Sequence, residues 1–169
     1  MKITKPTYLI AELAGDVVPL VMEMRKRFNP NNVYWPADIT IAGSSGIGTI
    51  KEGQDLNEVI NCLKPIINEF GFGELKFVAV DRFPNTGIYY LVPERENFDR
   101  IYKAVADSGV EFNLNDWPYN PHCTLRWHND IAPECANLFE SLKLPENSSI
   151  DCFSLYQPEV SGGDRAHQF

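Results

Sequence analysis

Asn120-Pro121-His122-Cys123-Thr124-Leu125-Arg126-Trp127 is a short strand-like run that sets an imidazole and a hydroxyl two positions apart. Successive side chains of a strand alternate between faces, so His122, Thr124 and Arg126 are expected on one face and Cys123, Leu125 and Trp127 on the other. The first set is chemical: a neutral imidazole takes or gives a proton near neutral pH, a hydroxyl donates to a phosphate oxygen, and a guanidinium holds that phosphate. The second set reads as core. Together the residues suit phosphoryl chemistry.

An earlier stretch, Tyr34-Trp35-Pro36-Ala37-Asp38-Ile39-Thr40-Ile41, has the same outline of aromatics, proline, polar residue, apolar residue and Thr, with Asp38 at the polar position. This paired layout resembles the two-histidine (2H) phosphoesterase superfamily, whose bacterial members include RNA 2',3'-cyclic phosphodiesterases historically called 2',5' RNA ligases. Members carry two His-x-Thr/Ser motifs, one per lobe, converging on one phosphate. Here His122-Cys123-Thr124 keeps the second motif, while Asp38-Ile39-Thr40 keeps the Thr of the first and loses its His.

The resemblance implies an α+β, two-lobed duplicated fold, with antiparallel sheets backed by helices and a central cleft, made by one domain over residues 1–169. The implied reaction is hydrolysis of a 2',3'-cyclic phosphate or related phosphodiester, without a metal or other cofactor. In that reading His122 and Asp38 are catalytic, and Thr40, Thr124 and Arg126 bind phosphate. Arg126 could equally be an ordinary solvated charge. Trp35, Trp117 and Tyr119 precede the motif strands and could stack on a base, although buried aromatics fit as well. An ionised carboxylate takes a proton but does not donate one, and beside a phosphate it adds repulsion that raises its pKa. Either Asp38 works in a carboxylate and imidazole pair, or activity is weak or lost.

Composition bounds these readings. The 169 residues, 44% hydrophobic and 12% aromatic, suffice for one sizeable core and not for a second independent domain. A formal charge of −8 argues against gripping long nucleic acids through their phosphates, yet leaves room for a small nucleotide or RNA terminus in a local pocket. The widely spaced Cys62, Cys123, Cys135 and Cys152 form no Cys-x-x-Cys and read as reduced, buried thiols of a cytoplasmic protein. No signal-peptide pattern or membrane-length apolar run is present, so no membrane partner is expected; the oligomeric state is left open.

In chain order, Thr7 to Leu13 reads as a buried strand, and Asp16 as the N-cap of a helix with Val17, Leu20, Val21, Met24 and Phe28 on its apolar face. The glycine-rich Gly43 to Gly48 lacks a P-loop ending and reads as a flexible connection. Asp55 and Glu58 have capping-box spacing before a helix that Pro65 should kink and that ends near Phe70. Glu74 to Phe83 reads as one long strand, joined through Pro84-Asn85-Thr86-Gly87 to a strand at Ile88 to Val92. A helix from Asn97 ends at Gly109, another starts near Pro133, and Ile150 to Tyr156 is a closing strand before a polar tail. His128 lies roughly 20 Å of strand from His122 and is read as a loop residue, while Arg165 and His167 are expected at the surface. Two further readings from other classes stand beside the enzyme: a binding module that keeps the cleft without turnover, and a structural or interaction protein.

Overall fold

The computed structural model describes residues 1–159 and 162–169. In chain order the elements are β1 (Tyr8–Gly15), α1 (Val17–Phe28), β2 (Asp38–Ala42), β3 (Thr49–Ile50), α2 (Leu56–Phe70), β4 (Glu74–Leu75), β5 (Phe77–Arg82) and β6 (Tyr89–Pro93). They continue with α3 (Arg95–Ala106), β7 (Phe112–Asn113), β8 (Cys123–Arg126), α4 (Pro133–Glu140), β9 (Ser148–Glu159) and β10 (Gly162–Gln168). One sheet runs β10-β9-β1-β2, with β4 added to β9; a second runs β5-β6-β8; β3 and β7 form a two-stranded ribbon. Every strand pairing among them is antiparallel, and helices back the sheets, as an α+β fold requires.

Alternation decides what the first sheet presents. Ile39 and Ile41 of β2 are fully buried, as are Leu9 and Ala11 of β1, so the intervening Asp38, Thr40, Ile10 and Glu12 share the opposite face. Helix α2 closes the core with Leu63 and Ile67, each fully buried, a burial that contributes about 1.5–3 kcal/mol per side chain. Asp55 caps this helix by accepting the Asn57 amide at 2.9 Å, and Gly71 ends it with φ +68°, a conformation a side chain disfavours.

Four expectations are corrected. The 74–83 stretch is not one strand: it breaks at Lys76, β4 joining β9 in the first sheet and β5 joining β6 in the second. Asp16 makes no side-chain cap; its carboxylate instead accepts the Asn147 backbone amide at 3.1 Å and side-chain amide at 3.0 Å, tying the start of α1 to the entry of β9. The polar tail is largely strand: β10 pairs along β9, and Arg165, exposed as expected, also reaches back to Glu12 of β1. An edge strand needs no alternating apolar pattern, which is why the sequence hides it. Of the four thiols, Cys62 is exposed, because it falls outside the stripe of α2 that Val59, Leu63 and Ile67 bury; the other three are buried. Among the described residues no helix is long and apolar enough to cross a membrane.

Candidate active site

The two sheets face each other across a cleft of about 200 Å³. Asp38 and Thr40 of β2 line it from one side, and His122 and Thr124, just before and within β8, from the other. Aromatic rings form much of the remaining wall, from Tyr8, Trp35, Trp127 and Tyr156. Trp35 lies 5.6 Å from Tyr156 and 6.2 Å from Trp127, ring centre to ring centre, with planes tilted by about 60° in each pair. Gly43 follows β2 at the closest point: a Cβ there would stand 2.5 Å from both the Thr40 methyl and the Tyr8 ring, so only glycine lets these two site residues approach.

His122 is held in one tautomer. Its Nδ1 lies 2.6 Å from the Asn120 carbonyl, which can only accept, so Nδ1 carries the hydrogen and Nε2 keeps the lone pair. Phe83 and Tyr90 pack around the ring, each at 5.1 Å. Burial pushes the imidazole pKa down, only partly offset by the Asn120 bond, which favours the neutral base.

Asp38 is 16% exposed and sits 3.9 Å from Nη2 of Arg25, a guanidinium with no exposure at all. Burial lifts the Asp38 carboxyl to about 6, against the opposing pull of Arg25 and of the Thr40 hydroxyl, which donates to it at 3.4 Å; Glu12 nearby adds to the rise. A carboxyl in that range gives as well as takes a proton near neutrality, and the cause is burial in the fold itself rather than repulsion from a bound phosphate. Beneath it the Cys123 thiol is pushed up to about 12, chiefly by burial, and is therefore no thiolate nucleophile.

Because the folded state holds the Asp38 proton more tightly than the unfolded chain, this carboxyl makes its best contribution to stability below about pH 4 and loses it as pH rises through 6. Asp38→Asn should therefore stabilise the fold by on the order of 2–3 kcal/mol at pH 7.5, with the gain fading toward pH 4. Urea denaturation of both proteins across that range checks it; equal stability at pH 7.5 would show that the carboxyl is not strained by its surroundings.

Arg126 is corrected out of the cleft. In the β6–β8 pairing Tyr90 faces Thr124 but Tyr89 faces Arg126, so Leu125 is an extra residue, a bulge that reverses the alternation. Arg126, 4% exposed, turns to the far side, where Nη1 donates to the Gly87 carbonyl at 2.6 Å and Nη2 meets Asp130 at 3.4 Å. Trp127, expected in the core, swings into the cleft instead. Its backbone is clasped by the Asn29 side chain, which accepts from the Trp127 amide at 2.9 Å and donates to its carbonyl at 3.0 Å.

Of the aromatic candidates, only Trp35 lines the cleft. Trp117 is 73% exposed, and its carbonyl accepts from the Gly46 amide. Tyr119 stacks on Tyr102 at 3.9 Å and points its hydroxyl at the Thr40 carbonyl, so it braces β2 from outside the cleft. The sequence reading missed Tyr8, Tyr156, Trp127 and Arg25. Arg25 had a signal: it stands four residues after Val21 and three before Phe28, the spacing of the apolar stripe of α1. Among the described residues no group of three His, Cys, Asp or Glu is arranged to hold a metal ion.

No family model and no curated protein matches the sequence. Solved structures do. E. coli LigT complexed with 3'-AMP superposes with a TM-score of 0.57 at 17% identity, over 98% of this chain and 97% of that one. The chain shares the fold of E. coli LigT. A structure described as a phosphoesterase gives 0.58 at 14% identity over 98% of both chains. The protein TT0787 of Thermus thermophilus gives 0.57 at 14% identity over 100% of this chain and 97% of its own. LigT has also been crystallised with ATP and with NADP+.

Proposed function

We propose that this protein is a phosphodiesterase of the LigT-like fold that hydrolyses a 2',3'-cyclic phosphate, or a related phosphodiester of a small nucleotide or RNA end, without a metal. The proposal takes the 169 residues as one domain of two related lobes. The observation that carries it is the convergence of two proton-handling side chains, His122 and Asp38, with two hydroxyls, Thr40 and Thr124, on one cleft. The nucleotide complexes of LigT support a small nucleotide as the occupant.

The opposite displacement of the two groups suggests their roles: His122 is kept neutral and Asp38 holds its proton longer than an ordinary carboxyl. Nε2 of His122 takes a proton from water as its oxygen attacks phosphorus. The ribose oxygen leaves as its bond to phosphorus breaks and takes the Asp38 proton. Thr40 and Thr124 donate to the phosphate oxygens, where charge builds in the transition state. Trp35, Trp127 and Tyr156 offer ring faces to a base. Arg126, turned onto Gly87, has no part in this scheme.

A binding module is the second reading. It is favoured by Asp38 standing where the resemblance puts a His, and by the lack of any Lys or Arg among the described cleft-lining residues.

Turnover of one 2',3'-cyclic nucleotide by the native protein, Asp38→Asn and Asp38→His separates the readings. The native rate should fall as pH rises through about 6, where Asp38 loses its proton. Asp38→Asn should lose at least on the order of a hundredfold, since an amide neither gives nor takes a proton there. Asp38→His should lose as well, because an imidazole must be cationic to act as the acid, and the buried Arg25 guanidinium stands beside that position. A faster Asp38→His would mark Asp38 as an inactivating replacement. Tight binding with no turnover by any of the three would establish the module.

A further inference from the structure

Glu12 of β1 stands directly across from Asp38 of β2 on the cleft-side face of the first sheet. Side chains so paired have Cβ atoms about 4.5–5.5 Å apart, and like charges in that position repel. Only 8% exposed, Glu12 cannot escape into solvent. Two carboxylates this close repel each other, and the cations around them decide which one carries the charge more easily.

The cations are unevenly placed. Arg165 of β10 reaches across β9 and grips Glu12 with two parallel bonds, Nε to Oε1 at 2.9 Å and Nη2 to Oε2, and the Ser154 hydroxyl donates to Oε1 as well. Asp38 has a weaker cation: Arg25 approaches only to 3.9 Å, and its Nη1 is engaged by the carbonyls of Trp35 and Pro36. The other ionisable groups acting on Asp38 or lying across the cleft from it are Cys123 and His122 from the β8 segment and Tyr156 from β9, none of them a second fixed cation. Three donors thus fix the negative charge on Glu12, while Asp38 has one hydroxyl and a distant guanidinium.

We propose that Arg165, although outside the cleft lining, is a positioning residue that acts through Glu12 to assign the proton of the facing Glu12 and Asp38 carboxyls to Asp38. The last strand of the chain thereby sets the protonation state of the site. This deepens the reading of Asp38 as the proton donor and rests on it for its functional meaning, but its first test needs no turnover.

Carbon-13 NMR of the side-chain carboxyls of the full-length protein, followed from pH 4 to 8, reads each group directly. In the native protein Asp38 should titrate near 6. In Arg165→Met the two should titrate together in coupled steps, Glu12 taking up proton at the expense of Asp38, and Arg165→Lys should restore most of the native pattern. Unchanged Asp38 and Glu12 curves in Arg165→Met would overturn the proposal. Glu12→Gln tests it independently of whether Arg165→Met folds: without the facing anion the Asp38 midpoint should drop, and no drop would overturn it too. If the protein turns over a cyclic nucleotide, the alkaline limb of its rate profile should move with the Asp38 midpoint in each variant. A native protein without turnover would sink the enzyme reading while leaving the NMR test intact.

Discussion

His122→Ala is expected to lower turnover of a 2',3'-cyclic nucleotide by at least on the order of a hundredfold, the usual scale for removing a general base. The loss should fall on kcat, since His122 is one wall of a cleft whose hydroxyls and aromatic rings remain. His122→Asn provides the control: its amide can still donate to the Asn120 carbonyl, which the native Nδ1 meets at 2.6 Å, but supplies no comparable base. Both variants should lose rate alike if the lone pair on Nε2 matters, and His122→Asn should keep most of it if the ring merely braces the loop. Steady-state kinetics with circular dichroism as a check on folding decides between them. Full activity in His122→Ala removes the residue from the mechanism.

Arg25→Ala is the second large effect, this time on stability: about 3–5 kcal/mol lost, read by urea denaturation. The guanidinium has no exposure, bonds to the carbonyls of Trp35 and Pro36, and lies 4.7 Å over the Trp127 ring. Truncation opens a cavity, orphans two partly buried carbonyls and leaves the Asp38 carboxylate without its nearest cation. Arg25→Met separates these terms, because it fills most of the volume without the charge or the donors. It should recover the cavity part only. Equal stability of native protein and Arg25→Ala would mean that the site is not built on this residue.

The sequence made the local elements legible wherever burial follows a simple period. Strand β2, at 38 to 42, starts on the Asp38-Ile39-Thr40 motif that the sequence singled out, and α2 begins after the Asp55 cap and ends at the glycine that follows Phe70. The gathering of Asp38, Thr40, His122 and Thr124 on one cleft also accords with two motifs of matching parity. What was hidden are features fixed by long-range partners. Lys76 looks like any residue of an apolar strand, and only competition between β9 and β6 for its neighbours divides the run there. Arg165 sits among polar tail residues, and its role comes from Glu12, 153 positions earlier. Arg25 looks solvated because helix C-terminal turns favour cations, whereas here its side chain enters the core beneath the cleft.

The bulge at Leu125 carries a consequence for how this site could change over time. Which chemical group enters the cleft after Thr124 depends on the register of β8 as much as on the identity of its residues. Deleting Leu125 would close the ladder in place, with Arg126 following Thr124 on the opposite face, so the indole would stay in the cleft and the guanidinium behind it. Only a register that gave Leu125 a ladder position of its own would turn Arg126 into the cleft and Trp127 away from it. The unpaired residue, rather than any change of side chain, thus holds the lining aromatic and free of cations, and a shortened β8 would inherit the same ligand preference.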